Sequence, residues 1–247
     1  MAIEGKLGLP EKRNLVTEQV RGYLRWMALR RVYDPHSTLR VVGDSVALHD
    51  LAAEVVGPTQ IVTYLEFGVA AGKSILAFAD RFTHAESRFV GFDSFEGLPA
   101  NWEHLKRGYF STQGRQPRTE DPRVSFVPGW FQNTLPGYLS NERVAFADRV
   151  LVHFDADLYG STLFILTQIW GAIRSYYFIM DDFTVDDCVA LHDFMRAYPA
   201  RIEFYGFVAS GNGRPAKVFG RLTRTEFRPG ERKEDVAVES EDYWQLL

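Results

Sequence analysis

A single cysteine, Cys188, in 247 residues excludes an internal disulfide framework and leaves folding to the apolar core. No stretch approaches the roughly 20 consecutive apolar residues of a membrane span, and residues 1–11 lack an apolar segment of signal-peptide type. There is no excess of positive charge either. Lys and Arg number 28 against 32 Asp and Glu, and a net charge of -4 gives no basic field to gather nucleic acid or an anionic membrane. Cys/His clusters of zinc spacing, internal repeats and low-complexity blocks are missing too. These absences predict a soluble, cytoplasmic protein with neither nucleic acid nor membrane as partner. What is present is an ordinary globular balance, 46% hydrophobic and 24% charged, over a length that suits one α/β domain with a modest appendage.

The N-terminal part reads as helical. Val16, Val20, Leu24 and Met27 recur at intervals of four, four and three, an apolar stripe on a helix over residues 14–33. A second helix over 46–55 stops at Gly57-Pro58. Together they form an N-terminal cap over residues 1–58, and the first helix is a candidate homodimer contact. From Ile61 the texture changes to β-rich apolar runs alternating with helical stretches, the pattern of a mostly parallel sheet. Strands are expected at 61–67, 88–93, 123–128, 148–155 and 176–181, and helices at 73–83, 160–173 and 185–198. Two further runs, 201–209 and 215–222, face each other across Ser210-Gly211-Asn212-Gly213-Arg214, which predicts an antiparallel hairpin at the sheet edge. The expected α/β domain covers 59–227, with a seven-stranded sheet ending in that hairpin. A charged tail follows over 228–247.

The segment Glu66-Phe67-Gly68-Val69-Ala70-Ala71-Gly72-Lys73-Ser74 carries the most chemistry. A strand ends in a carboxylate, turns on two glycines and enters a helix whose free N–H groups can face a ligand. A carboxylate here would repel a pyrophosphate but suits a cation such as the sulfonium and amino group of S-adenosylmethionine. The third glycine of the dinucleotide fingerprint is missing, and a P-loop would need glycine where Phe67 stands. The next strand ends in Asp93, followed by Ser94. An acid at that position holds ribose hydroxyls in nucleotide-binding sheets, or else caps the following turn through Phe95 or Glu96. Trp130, after the third strand, can stack on an adenine ring or fill the core.

Two more strands end in acids, Asp155 and Asp157 on one and Asp181 and Asp182 on the next. Carboxylates converging at one sheet edge repel each other unless protonated or neutralised, and a hard divalent cation such as Mg²⁺ is the simplest neutraliser. The alternative is that some of these acids cap the helices that follow. His153, on the same strand face as Asp155, reads as a satisfied core histidine rather than a base. The polar stretch 100–122, with Trp102, Tyr109 and Phe110, reads as a lid over the site or as a surface excursion.

These segments together resemble the macrocin O-methyltransferase (TylF/MycF) family, which methylates sugar hydroxyls of glycosylated natural products. The matching stretches are residues 66–74, 91–99 (Gly91 to Pro99), 129–136 (Gly129 to Pro136), 155–162 (Asp155 to Thr162) and 181–183 (Asp181 to Phe183). The resemblance implies a Rossmann-like class I methyltransferase fold. It implies that Glu66, Gly68, Gly72 and Asp93 contact S-adenosylmethionine, with Ser74, Ser94, Trp130 and Asp155 added as cofactor-side candidates. It further implies that Asp155, Asp181 and Asp182 hold Mg²⁺. The acceptor expected is a small, glycosylated molecule, and the residue shortly after the first metal acid is not a lysine, so Asp155 or Asp157 is the candidate base. A catechol-like acceptor would use the same metal chemistry, and a non-catalytic cofactor-binding module is the alternative from another class.

Overall fold

Runs rich in valine, isoleucine and aromatics between short polar turns become strands from Val62 onward, as expected for side chains that pack on a pleated, buried surface. The computed structural model describes residues 15–226, apart from 36–37, 103, 142–144, 184 and 212. The chain runs through α1 (Leu15–Ala28), a π-helical turn (Leu29–Tyr33), β1 (Arg40–Val42), α2 (Ser45–Val56), β2 (Val62–Phe67), α3 (Lys73–Arg81), β3 (Arg88–Asp93) and β4 (Val124–Pro128). It continues with α4 (Phe131–Leu139), β5 (Arg149–Phe154), α5 (Tyr159–Ala172), β6 (Ser175–Met180), α6 (Asp186–Ala197), β7 (Ala200–Ala209) and β8 (Pro215–Arg224). Residues 1–14 and 227–247, including the charged tail, lie outside the described residues.

The sheet has eight strands in the order β1-β7-β8-β6-β5-β2-β3-β4. Strands β2 to β6 are parallel, β8 is antiparallel to both β6 and β7, and β1 is parallel to β7. Seven strands follow the expected runs. The eighth, β1, corrects the expected count of seven and draws the N-terminal segment into the sheet. It is a three-residue strand, too short to leave a period in the sequence. The hairpin also sits further in than expected, because β8 is interior and β1 covers the outer side of β7. Gly206 makes this possible: a Cβ there would meet Leu51 Cδ2 at 2.5 Å and the Arg40 carbonyl at 3.0 Å.

Strand alternation sorts the sheet into two cores. Leu65 and Phe67 of β2, Val150, Val152 and Phe154 of β5, and Phe178 and Met180 of β6 face α1, α5 and α6. Val62 and Tyr64, Leu151 and Ile179 face α2 and α3. Helix α1 forms as its periodicity predicts, yet it presents a different stripe. Gly22, Trp26 and Leu29 are buried, whereas Met27 is 47% exposed. Cys188 Sγ of α6 donates to the Gly22 carbonyl at 3.3 Å. Past the π-turn, buried Asp34 accepts from Arg30 Nη1 at 2.6 Å and from the backbone N–H of Phe204 at 3.0 Å, where a bulge interrupts the β7–β8 ladder. Helix α4, absent from the expected elements, contains Pro136 and Gly137, two poor helix formers that hide it from a propensity reading.

Candidate active site

Parallel strands bring their C-terminal ends to one edge of the sheet, and ligand crevices in such folds open there. After β2 the chain turns on Gly68, which lies so close to β5 that a Cβ would sit 1.8 Å from the Asp155 carbonyl oxygen. Its φ of +93° is also a glycine conformation. The loop continues through Ala70 in the left-handed region, φ +45°, and reaches α3 at Gly72, which packs under Pro117. Asp93 holds this loop. Its Oδ2 accepts from the N–H groups of Val69 at 2.8 Å and Ala70 at 2.7 Å, and its Oδ1 accepts from Phe95 N–H at 2.7 Å. The turn-cap alternative is therefore realised, and the same carboxylate also anchors the glycine loop.

A cavity of about 300 Å³ opens above these residues. Gly68, Ala70, Asp93 and Ser94 form one side, Gly129, Trp130 and Phe131 another, and Asp155, Asp157 and Ser161 the far end. The connection from β3 to β4 closes over it with Gly97, Leu98, Pro99 and Phe110. This strap is internally pinned, since Leu98 N–H donates to the Tyr109 carbonyl and Gly108 N–H to the Leu98 carbonyl, both at 2.9 Å. Trp102 Nε1 then donates to Asp186 Oδ2 at 2.8 Å, tying the strap to the start of α6. Within 100–122, Phe110 lines the cavity and Pro117 packs on Gly72, while most of the other residues of the stretch are exposed. Arg115 bonds within its own turn, to Thr112 and Gln113.

Glu66 and Ser74 lie beneath the cavity, not in its wall. Glu66 is fully buried, accepting from Ser74 Oγ at 3.0 Å and from the Tyr64 hydroxyl. His153, its register partner on β5, joins the same buried network through Nδ1, 2.8 Å from the Tyr64 oxygen, and through Nε2, 3.2 Å from Asp181 Oδ1. Burial alone would lower the His153 pKa, but Asp181 and Glu66 outweigh it and raise it to about 10. His49 of α2 stands beside it, its pKa lowered to about 4 by burial and by the His153 charge.

The four acids divide into two groups. Ligand oxygens of Asp155, Asp157 and Asp182 lie within 4.8 Å of one another. Burial and the neighbouring acids Asp182 and Asp155 raise Asp157 to about 9, and burial with Asp181 raises Asp155 well above the carboxylate range. Asp187 behind them is pushed up to about 7 by burial and Asp182, although it accepts from Thr162 Oγ1 at 2.6 Å and from Asp182 N–H at 3.2 Å. Asp181 behaves oppositely. Burial would raise it, yet His153 and Lys217 hold it below the ordinary range, with Lys217 Nζ on its Oδ2. The expected set Asp155, Asp181 and Asp182 is thus only partly gathered, and Asp157 completes the close cluster. Tyr64 and Lys217 belonged to no motif; only strand alternation and hairpin register place them here.

No helix among the described residues is long and apolar enough to cross a membrane. The profile of the family described as macrocin O-methyltransferase (TylF) matches residues 35–201. A tetracenomycin-type rhamnosyl 4'-O-methyltransferase of Streptomyces olivaceus is 31% identical over 157 residues, covering 54% of this chain and 58% of that protein. Mycinamicin III 3''-O-methyltransferase of Micromonospora griseorubida is 32% identical over 112 residues, 44% of this chain and 40% of the relative. The chain thus matches roughly half the length of these relatives, or less. Among solved structures, the O-methyltransferase TomG of Streptomyces achromogenes, in complex with SAM, aligns over 89% of this chain and 93% of its own with 15% identity and a TM-score of 0.46. An O-methyltransferase of Bacillus cereus, in complex with SAH, aligns over 88% and 94% with 13% identity and a TM-score of 0.46. With its family profile spanning the glycine loop, the cavity strap and the acid cluster, the chain belongs to the macrocin O-methyltransferase (TylF) family.

Proposed function

We propose that this chain transfers the methyl group of S-adenosylmethionine to a hydroxyl of a sugar or other polyhydroxylated natural product. The observation that carries the proposal is one cavity in which a nucleotide-type wall of Gly68, Asp93 and Trp130 meets the acids Asp155 and Asp157. Family membership and the printed activities of the two relatives support the reaction class and the acceptor class.

S-Adenosylmethionine supplies the activated methyl group, and a divalent cation, Mg²⁺ first, supplies Lewis acidity at the acceptor oxygens. The donor set fits such an ion: carboxylate oxygens only, gathered within 4.8 Å, with raised pKa values that a positive charge would relieve. Asp155 and Asp182 belong both to the set expected from sequence and to the cluster that forms. On the other wall, Gly68 would let the backbone approach the cofactor, Asp93 and Ser94 would hold its ribose, and Trp130 would stack on its adenine. Glu66, Gly72 and Ser74 position the loop from beneath. Asp155 or Asp157, both lining the cavity, would act in its ionised form as the base toward an acceptor hydroxyl. The strap excludes water and orients the acceptor against them.

Calorimetric titration with S-adenosylmethionine, with and without Mg²⁺, followed by methyl-transfer assays on rhamnosylated polyketides and on catechols, tests the proposal. Cofactor binding and methylation of the sugars are expected. Absence of cofactor binding would sink it, and turnover confined to catechols would reassign the acceptor.

A further inference from the structure

The acids of the active site gather at the C-terminal edge of the parallel strands, and arginines gather at the opposite edge. Arg88 opens β3, Arg149 opens β5, Arg174 precedes β6, and the antiparallel β8 carries Arg221 and Arg224 down to the same foot. Two hollows of about 800 and 460 Å³ adjoin there, sharing Phe146 and Ala147 in their walls. The larger is apolar along Val90, Val127 and Tyr138, with Ile61 left 39% exposed and Arg88 among its walls. The smaller holds Arg174 and Arg221. Two of the foot arginines are already engaged, Arg123 by Asp121 at 2.6 Å and Arg221 by Ser175 at 3.1 Å. Arg88 and Arg174 stand exposed, and the carboxylates in the two linings are Glu86 and Asp148.

A ligand for this groove must bring negative charge and an apolar group, and the chain carries such a segment. Residues 234–242 hold the acids Glu234, Asp235, Glu239, Glu241 and Asp242 without a Lys or Arg, and Tyr243, Trp244, Leu246 and Leu247 follow. The groove also begins where the described chain stops. Arg224 N–H donates to the Arg174 carbonyl at 2.7 Å and Thr225 N–H to the Pro199 carbonyl at 2.8 Å, which fixes the last described residues beside the smaller hollow. From β8 to β3 is four strand spacings, about 19 Å, whereas the chain from Glu226 to Tyr243 can span up to about 55 Å. We propose that this groove is the docking site of the chain's own segment 234–247, its acids against Arg174 and Arg88 and its aromatic end in the hollow of Val90, Val127 and Tyr138. Attachment through the same chain gives the segment a high effective concentration, so contacts too weak to hold a free peptide suffice. The groove lies at the edge opposite the active site and does not depend on the reaction assigned above.

The test uses the full chain. Cys188 is buried, so a nitroxide attached through Ser240→Cys labels one position, and its paramagnetic broadening is read on the backbone amides. Broadening is expected at Arg88, Ser125 and Arg174, with Asp93 and Asp157 at the opposite edge unaffected. Broadening centred elsewhere, or on none of the sheet and helix amides, would overturn the proposal. Labelled protein mixed with unlabelled, isotopically enriched protein separates the sources. Broadening of the enriched copy would assign the groove to a second chain and overturn docking within one chain. Sodium chloride at about 1 M, where the Debye length is about 3 Å, should remove most of the effect, as should Arg88→Glu combined with Arg174→Glu. Trp244→Ala should weaken it several-fold, and circular dichroism checks that each variant folds. Broadening that persists unchanged in salt, or in either folded variant, would overturn the proposal as well.

Discussion

Asp93 and Asp157 are the same residue type at the same edge of one sheet, a few strands apart, and they are handled in opposite ways. Asp93 meets three backbone N–H groups that point at its oxygens. Asp157 meets other carboxylates, which with burial raise its pKa to about 9. The first acid stabilises the fold as it stands. The second is tolerated by the fold and becomes favourable only when positive charge arrives. Stability and function are therefore written into different carboxylates, and substitution separates them.

The harshest perturbation is Gly68→Ala, which touches both halves because the loop of one lies against the strand end of the other. A methyl group placed 1.8 Å from the Asp155 carbonyl, at a φ of +93°, should cost more than about 4 kcal/mol in urea unfolding or leave the protein insoluble. Near-native stability would mean that the glycine loop does not press on β5. Asp93→Ala comes next. It leaves three amide donors without their acceptor, and an unfolding loss of about 3 kcal/mol is expected with cofactor affinity falling in parallel.

Asp157→Asn should act with the opposite sign. The folded pKa of about 9 lies above the ordinary 3.8, so the contribution of this group to stability is complete below 3.8 and is lost as pH climbs through about 9. In chelator, the melting temperature of the wild type should therefore fall across that window, and the variant should fall less. A variant that melts in parallel with the wild type at every pH would dissolve the contrast with Asp93. The smallest effect belongs to Trp102→Phe, which removes the tether to Asp186 at about 1 kcal/mol. Faster amide exchange at Leu98 and Tyr109, with little change at Asp93, would place the strap apart from the loop that Asp93 anchors.

How far the sequence foretold this site follows from which interactions leave a period. Strands β2 to β6 alternate or run apolar, and their terminal acids were legible because a parallel sheet collects strand ends at one edge. Position along a strand does not tell which neighbour a side chain will meet. Glu66 read as a cofactor contact, yet Tyr64 and Ser74 enclose it. Asp181 and Asp182 read as partners, and the pleat parts them. The face of α1 was misjudged for a similar reason: Val20, Leu24 and Met27 have proper helical spacing, but so do Gly22, Trp26 and Leu29, and the larger indole wins the core. It packs edge-on against Phe183 and Phe204, with ring centroids 5.6 and 5.0 Å away. Lys217 was recoverable only by carrying the hairpin register back from its turn.

The short strand β1 has a consequence for how the chain reaches this fold. It lies early in the sequence but pairs with β7, the latest but one of the strands, joining Arg40 to Gly206. Such a contact closes about two thirds of the chain into a loop, which places it among the slow, non-local events of folding. Until it forms, the ten-residue β7 presents an unpaired outer edge, the kind of surface on which a second chain can add a strand. The N-terminal segment therefore covers an edge on which a second copy of the chain could otherwise add a strand.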